Sequence, residues 1–462
     1  MHNELATSAS GRTRRVPLPR VWPLRASDVY ALLLGNAVLL AAMWVRHGGL
    51  GEFSSLSGSL TALGQLAAIF GTYLVLIQLV LMSRAPALDQ VFGSDRITAA
   101  HRWVGFGAVW LIVAHVVFTV AGYAGSAGLS VLDELMLQLT TYPYVLWAAV
   151  SLGLLVGVAT SSVRAARRRV SYETWYFIHL YAYLAIALGF AHQVVLGTDF
   201  FADPLARLYW IGLYLVAFGL LIGFRFAAPV SVSVRHRFAL ANVVAESDDV
   251  TSIYLTGRNL DQLAVRAGQW FRLRFLTRAG WYRAHPFSIS AAPNGRYLRF
   301  SIRDLGDYTP TLRHLPLGTR VFLEGPYGAF TGAARTKARV LLVAGGIGVT
   351  PLRALLEELP AKPGDITLLY RASSPAEVVF AREIDALAAL RGAVVHYLVG
   401  RRGSPTMRQD PLEPAALRAL VPDVLARDIY VCGPAGMTDK VLESLRKLRV
   451  PARQIHYERF AF

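Results

Sequence analysis

Six apolar runs, each near 20 residues, crowd into the first half of this 462-residue chain. They lie at about 28–45, 60–82, 98–121, 139–160, 175–196 and 207–226. A helix rises about 1.5 Å per residue, so roughly 20 apolar residues cross the hydrocarbon of a bilayer. Hydrophobic residues make up 54% of the chain and charged residues 17%, with a mean hydropathy of +0.41. An average soluble domain carries about 25% charged residues. That balance excludes a disordered chain and a wholly soluble one. The first run is too long for a secretory signal and lacks a small-residue cleavage site, so a retained first span is expected.

Arginines orient these spans. Arg12, Arg14, Arg15, Arg20 and Arg25 precede the first, Arg84 and Arg96 follow the second, and Arg164, Arg167, Arg168 and Arg169 follow the fourth. The alternate connections hold Arg46, then no Lys or Arg in 122–138, then Arg207. Basic loops stay on the cytoplasmic side, which predicts that both termini are cytoplasmic. The net charge is +17. Most of it lies after Ala227, spread thinly, which suits anionic ligands or an anionic membrane surface better than nucleic acid. The single cysteine, Cys432, excludes a disulfide framework, a thiolate zinc site and an iron–sulfur cluster.

After Ala227 the pattern changes to short alternating stretches broken by Gly and Pro, at 230–234, 251–256, 270–276 and 298–303, an antiparallel sheet or barrel signal. From Arg339 buried strands alternate with helices: strand Arg339–Ala344, helix Pro351–Leu359, strand 366–370, helix 376–390, strands 393–399 and 428–432, and helix 436–447. That alternation implies a parallel α/β sheet. The expected organisation is a cytoplasmic tail 1–25, a six-span membrane domain 26–227, a β-barrel domain 228–336 and an α/β domain 337–462.

Four of the eleven histidines lie within apolar spans: His101 and His115 on the third, His179 and His192 on the fifth. An ionisable side chain at membrane depth is costly and needs a partner. His101 and His115 are 14 positions apart, which returns them to within about 40° of one helix face at two depths. The third and fifth spans both run outward, so His101 is expected to face His179 at the inner level and His115 to face His192 at the outer. One histidine from each of two helices can ligate a haem iron axially, and two levels make two haems. The 13 positions from His179 to His192 turn about 220° on an ideal helix, so a kink or bulge is expected between them, with Gly189 as its site.

These six spans and paired histidines, with a fifth span opening Tyr172-Glu173-Thr174-Trp175-Tyr176-Phe177-Ile178-His179, resemble the ferric reductase and NADPH oxidase superfamily. The resemblance covers nearly all of the chain beyond the tail. It implies that the four histidines are bis-axial ligands of two b-type haems, with the 13-residue spacing a habit of the family. It also implies a flavin motif in His285-Pro286-Phe287-Ser288, where His285 approaches the FAD phosphates, Phe287 packs by the cofactor and Ser288 hydrogen-bonds near the reactive flavin nitrogen. Arg303 and Gly306-Asp307-Tyr308-Thr309 resemble the element that holds the pyrophosphate, a role suited to a guanidinium and to free loop amides.

Gly345-Gly346-Ile347-Gly348-Val349-Thr350-Pro351 follows a buried strand. Glycines let the backbone turn tightly and approach a pyrophosphate, Thr350 is expected to cap the following helix, and Pro351 suits its first position. The run resembles the family's nicotinamide-nucleotide motif. At the end of the next strand an NAD site often places an acid; here stands Tyr370-Arg371-Ala372-Ser373, and arginine accepts a 2′-phosphate, which favours NADPH. Arg401 and Arg402 are candidate helpers. Cys432-Gly433-Pro434 resembles the family's nicotinamide-side motif, and the resemblance gives the final Phe462 the role of covering the flavin face.

The fold class read from all this is a six-helix transmembrane haem bundle, then an antiparallel β-barrel FAD domain and an α/β parallel-sheet nucleotide-binding domain. The expected function is transfer of electrons from cytoplasmic NADPH through FAD and two b-type haems to a small-molecule acceptor on the outer side of the plasma (inner) membrane. Oxidases of the family carry an arginine near the outer end of the second span; the matching place here is Gln65, which keeps ferric chelate and a quinone open beside oxygen. A non-redox alternative is a transporter with a fused dehydrogenase-like regulatory domain, its histidines serving as a proton relay. A haem spectrum separates the two.

Overall fold

A computed structural model describes residues 24–163, 170–197, 203–278, 280–306, 308–401, 407 and 409–460. The residues of the tail up to position 23, and Arg164 and Arg167 to Arg169, fall outside this set. The chain divides into two compact units, one ending at Ala227 and one beginning at Ala228.

In the first unit six helices are long and apolar enough to cross a membrane. They are α1 (Ala26–Arg46), α2 (Leu56–Met82), α3 (Ser94–Ala127), α4 (Val145–Ser162), α5 (Tyr172–Leu196) and α6 (Pro204–Leu220), the last continued by a π-helical turn, Leu221–Ala227. Each run of apolar residues in the sequence became one helix. α2 packs on α3 and α4 on α5, while Leu40, Tyr73, Leu76, Trp210 and Tyr214 form a core joining α1, α2 and α6. Asp203 fastens the first span to the last. It accepts from the backbone N–H of Leu205 at 2.8 Å, capping α6, and receives Arg46 and His47 from the end of α1.

α5 is α-helical throughout, so the bulge expected at Gly189 is not formed. Gly189 serves a different end. A Cβ there would stand 3.2 Å from Ser151 Oγ of α4, whose hydroxyl donates to the Ala185 carbonyl at 2.7 Å. Small residues let membrane helices approach this closely.

The second unit opens with a helix, α7 (Ala228–His236), where alternation of Val230, Val232 and Val234 predicts a strand. Tertiary contact overrides the β propensity of valine here. Ser233 Oγ donates to the Leu323 carbonyl and accepts the Leu323 N–H, at 3.1 and 3.0 Å, docking the helix on a strand. Six strands follow: β1 (Ala239–Ala245), β2 (Val250–Thr256), β3 (Trp270–Phe275), β4 (His285–Ser288), β5 (Leu298–Arg303) and β6 (Val321–Tyr327). They form two antiparallel sheets, ordered β1-β2-β5 and β4-β3-β6. Single bridges, Ala239 to Arg320 and Ile289 to Phe300, join them at both seams. Along β3, Phe271, Leu273 and Phe275 point into the core while Arg272 and Arg274 meet Glu324 outside, the period-2 pattern of a half-buried strand.

The remaining strands are β7 (Arg339–Gly345), β8 (Ile366–Ala372), β9 (Val394–Val399), β10 (Arg427–Pro434) and β11 (Ile455–Phe460). They form one parallel sheet ordered β11-β10-β7-β8-β9. Its helices include α8 (Val349–Glu358), α9 (Ala381–Arg391) and α10 (Ala435–Lys447). α9 starts later than expected because Pro375–Glu377 is a 3₁₀ turn and Phe380 adopts a left-handed φ of 62°.

Strand order reverses between β7 and β10, and in open α/β sheets ligands bind at the carboxyl edge of that switch point.

Candidate functional site

In the membrane unit the imidazoles of His101 on α3 and His179 on α5 meet edge to face, ring centres 5.9 Å apart. His179 Nδ1 lies 3.4 Å from Ser162 Oγ, which also accepts from Trp175 Nε1 at 3.1 Å. His101 Nδ1 is buried with no hydrogen-bond partner, and its backbone carbonyl accepts from Gln78 Nε2 at 2.7 Å. Further along α3, His115 Nδ1 lies 3.0 Å from the Gly64 carbonyl and 3.2 Å from Thr119 Oγ1. His192 is within electrostatic reach of His115, and its Nδ1 is likewise buried and unpartnered. Gln65, next to Gly64, accepts from the buried indole of Trp44 at 2.8 Å.

In the second unit β4 holds the His285-Pro286-Phe287-Ser288 run, with His285 opposite Leu273 and Ser288 opposite Trp270 of β3. The His285 ring stacks on Tyr308 at 4.6 Å, the Arg283 guanidinium lies over the Tyr308 ring at 5.4 Å from its centre, and Phe287 is 6.4 Å from His285. Burial pushes the Tyr308 phenol above its ordinary pKa, and Arg283 opposes the shift. Ser288 is buried. Arg303 donates from Nε to Asp249 at 2.6 Å, and its Nη1 comes within 3.8 Å of where a Cβ would stand on Gly346. That brings the barrel arginine to the glycine turn of the nucleotide domain. Gly306 has a φ of 68°, and the Thr309 hydroxyl closes its own loop on Leu305 N–H and carbonyl at 2.6 and 2.9 Å. Asp307 lies outside the described residues.

Gly345 ends β7, Gly346–Gly348 forms a 3₁₀ turn and α8 begins at Val349 with Gly348 at its N-cap. Thr350 is therefore not the cap. It sits in the first helical turn, its hydroxyl donating back to the Ile347 carbonyl at 3.0 Å, and Pro351 follows within that turn. The turn forces close packing at the switch point. A Cβ on Gly348 would stand 2.3 Å from the Cys432 carbonyl oxygen, and one on Gly433 would stand 2.7 Å from Met437 Cε. The glycines thus bring the ends of β7 and β10 and the start of α8 together, leaving N–H groups of a helix start at the carboxyl edge.

Arg371 lies opposite Gly345 in the pairing of β8 with β7, at the same edge. Its guanidinium donates to the Leu398 carbonyl at 3.0 Å and to the Ala372 carbonyl. The Ser373 N–H donates to Glu377 at 3.0 Å, a carboxylate that sequence reasoning passed over. Cys432 is fully buried, level with Ala344 of β7 on one side and Glu458 of β11 on the other. Pro434 pairs with Phe460, so the end of the chain runs to the same edge. Arg401 is exposed, while Arg402 and Phe462 lie outside the described residues.

Charged groups tie the barrel to the nucleotide domain. Arg299 of β5 reaches Glu383 of α9 at 3.0 Å, Arg353 of α8 also bonds Glu383, and Glu357 and Glu358 accept the backbone N–H groups of Ala292 and Ala267 at 2.8 and 2.9 Å.

Comparison with known families assigns residues 67–190 to the ferric reductase like transmembrane component, 235–331 to an FAD-binding domain and 342–443 to the oxidoreductase NAD-binding domain. The flavohemoprotein of Vibrio cholerae is 30% identical over 237 residues, 48% of this chain and 58% of that protein. The flavohemoprotein of Pseudomonas aeruginosa is 32% identical over 233 residues, again 48% of this chain and 58% of that protein. The chain thus spans less than two thirds of the length of these curated relatives. Among solved structures, the flavohem-like FAD/NAD-binding domain of a nitric oxide dioxygenase from Vibrio cholerae matches at 26% identity and a TM-score of 0.39, over 49% of this chain and 99% of that one. The chain has the ferric reductase/NADPH oxidase-like architecture: six helices long and apolar enough to cross a membrane, with a ferric-reductase-like transmembrane component among them, followed by FAD- and NAD-binding domains.

Proposed function

We propose that this chain carries electrons from cytoplasmic NADPH, through FAD and two b-type haems, to an acceptor on the outer side of the plasma (inner) membrane, oxygen with superoxide formed or a ferric chelate. The boundaries we assign are 26–227 for the haem domain, 228–336 for the FAD domain and 337–462 for the nucleotide domain.

The pairing of His101 with His179 carries the reading. The imidazoles of His101 on α3 and His179 on α5 meet with ring centres 5.9 Å apart, so one histidine from each of two helices would be in place to hold a haem iron between them. α3 and α5 approach each other less closely than each approaches its packing partner, so the imidazoles span the space between them. These residues fit a haem at each level, His101 with His179 inside and His115 with His192 outside.

When bound, the flavin converts a two-electron hydride into single electrons, which haem iron accepts one at a time. In this reading Ser288 hydrogen-bonds beside the reacting flavin nitrogen, and His285, Arg303 and the 306–309 loop hold the FAD phosphates. The turn Gly345–Gly348 offers N–H groups to the nucleotide pyrophosphate, with Arg371 and Ser373 at the 2′-phosphate. Cys432 and Gly433 shape the nicotinamide side, and Phe462 shields the flavin face. The basic segments beside the second and fourth spans orient both termini to the cytoplasm.

Anaerobic addition of NADPH to purified protein tests the reading. Reduced b-type haem bands are expected to follow flavin bleaching. Bleaching without any haem band would favour the haem-free alternative.

A further inference from the structure

The two histidine levels differ in what holds the ring. His115 Nδ1 has two oxygen neighbours, the Gly64 carbonyl at 3.0 Å and Thr119 Oγ1 at 3.2 Å. His101, its counterpart on the same helix, has a buried Nδ1 with none. His179 has only a long 3.4 Å approach to Ser162 Oγ, and His192 Nδ1 has no partner. The outer level is therefore the one with a fully oriented ligand.

That arrangement is built from two helices. Thr119 follows His115 by four residues, which puts both on one face of α3. Gly64 belongs to α2, where a carbonyl engaged in the helix keeps a second lone pair for another donor. The site needs glycine there: a Cβ on residue 64 would stand 2.5 Å from Thr119 Oγ1 and 3.0 Å from the Thr119 backbone nitrogen. Any larger residue pushes Thr119, and with it His115, off the α2 carbonyl.

We propose that the Gly64 carbonyl and the Thr119 hydroxyl are positioning groups for the outer haem ligand, sharing the proton of His115 Nδ1, turning Nε2 toward iron and lowering the potential of that haem relative to one held without them. The proposal rests on the haem reading above. A neutral imidazole carries one ring proton, and two acceptors at Nδ1 fix it there, leaving Nε2 with its lone pair. Donation from Nδ1–H raises the basicity of the other nitrogen, and a more basic axial ligand favours ferric iron. His101 has no such acceptor and His179 only the longer approach to Ser162 Oγ, so this pair of acceptors acts on the outer haem.

The test is a redox titration of the purified holoprotein, followed optically, after pyridine-haemochrome assay of haem per chain. Thr119→Val keeps the shape and removes the acceptor. It is expected to keep two haems and to move one midpoint upward, by about tenfold in the reduction equilibrium or ~59 mV for one electron, leaving the other in place. Thr119→Ala, which removes the acceptor with less crowding, should move the same midpoint in the same direction. Thr119→Ser, which retains the hydroxyl, should titrate like the wild type. Unmoved midpoints in a Thr119→Val protein with two haems, or equal movement of both, would overturn the proposal alone. A wild-type protein without haem would overturn the haem reading, and the proposal with it.

Discussion

Glu458 stands directly opposite Cys432 across the parallel pairing of β10 with β11. Burial, and then this carboxylate, push the Cys432 thiol well above its ordinary pKa. The side chain is therefore a neutral, packed group beside the nucleotide turn, because a thiolate needs an electropositive and accessible setting.

Native protein is expected to resist iodoacetamide at Cys432, and its reactivity should stay flat from pH 7 to 9, where an ordinary thiol near 8.5 would gain thiolate. Denatured protein should take up one equivalent. Mass spectrometry of intact protein checks this. Stoichiometric labelling of the folded protein would show that the thiol is open.

Removing the guanidinium in Arg371→Ala should raise KM for NADPH by about tenfold or more while changing KM for NADH far less, since a hydrogen bond to a charged group contributes about 1.5–3 kcal/mol. Arg371 sits at the carboxyl edge beside Gly345, where its present partners are the carbonyls of Leu398 and Ala372. Steady-state flavin reduction with both nucleotides gives the ratio. Equal losses would make Arg371 a structural clamp between β8 and β9.

Glu383→Ala should loosen the barrel from the nucleotide domain. It strips a shared carboxylate from Arg299 and Arg353, whose side chains are each only 6% exposed. The expected cost is about 3 kcal/mol, the lower end for a broken buried pair because the carboxylate itself is partly exposed. The temperature at which flavin fluorescence is released should fall by several degrees. No change would mean that water or a neighbouring acid replaces Glu383.

The spans were legible because crossing a bilayer demands length and apolarity, and nothing else in a chain supplies both over 20 residues. Strands such as 251–256 and 298–303 announced themselves by alternation, which is also why 230–234 misled: Val230, Val232 and Val234 alternate equally well on a helix that Ser233 docks to β6. The offset of Thr350 from the cap has a local cause, the 3₁₀ turn Gly346–Gly348, which no residue preference distinguishes from a first helical turn. The surroundings of the histidines lay beyond any local pattern. Gly64, Gln78 and Ser162 reach them from other helices, and Glu458 meets Cys432 only through pairing of distant strands. The spacing that argued for a bulge at Gly189 assumed that both imidazoles must leave α5 in one direction; the helix stays regular, and Gly189 is used for packing on Ser151.

Haem content across single histidine variants tests the account most directly. Pyridine-haemochrome assay of the purified protein is predicted to give two b-type haems per chain. His101→Ala and His179→Ala should each lose the inner one, and His115→Ala and His192→Ala the outer, with the partner haem partly occupied. Two haems retained in all four variants, or none in the wild type, would contradict it.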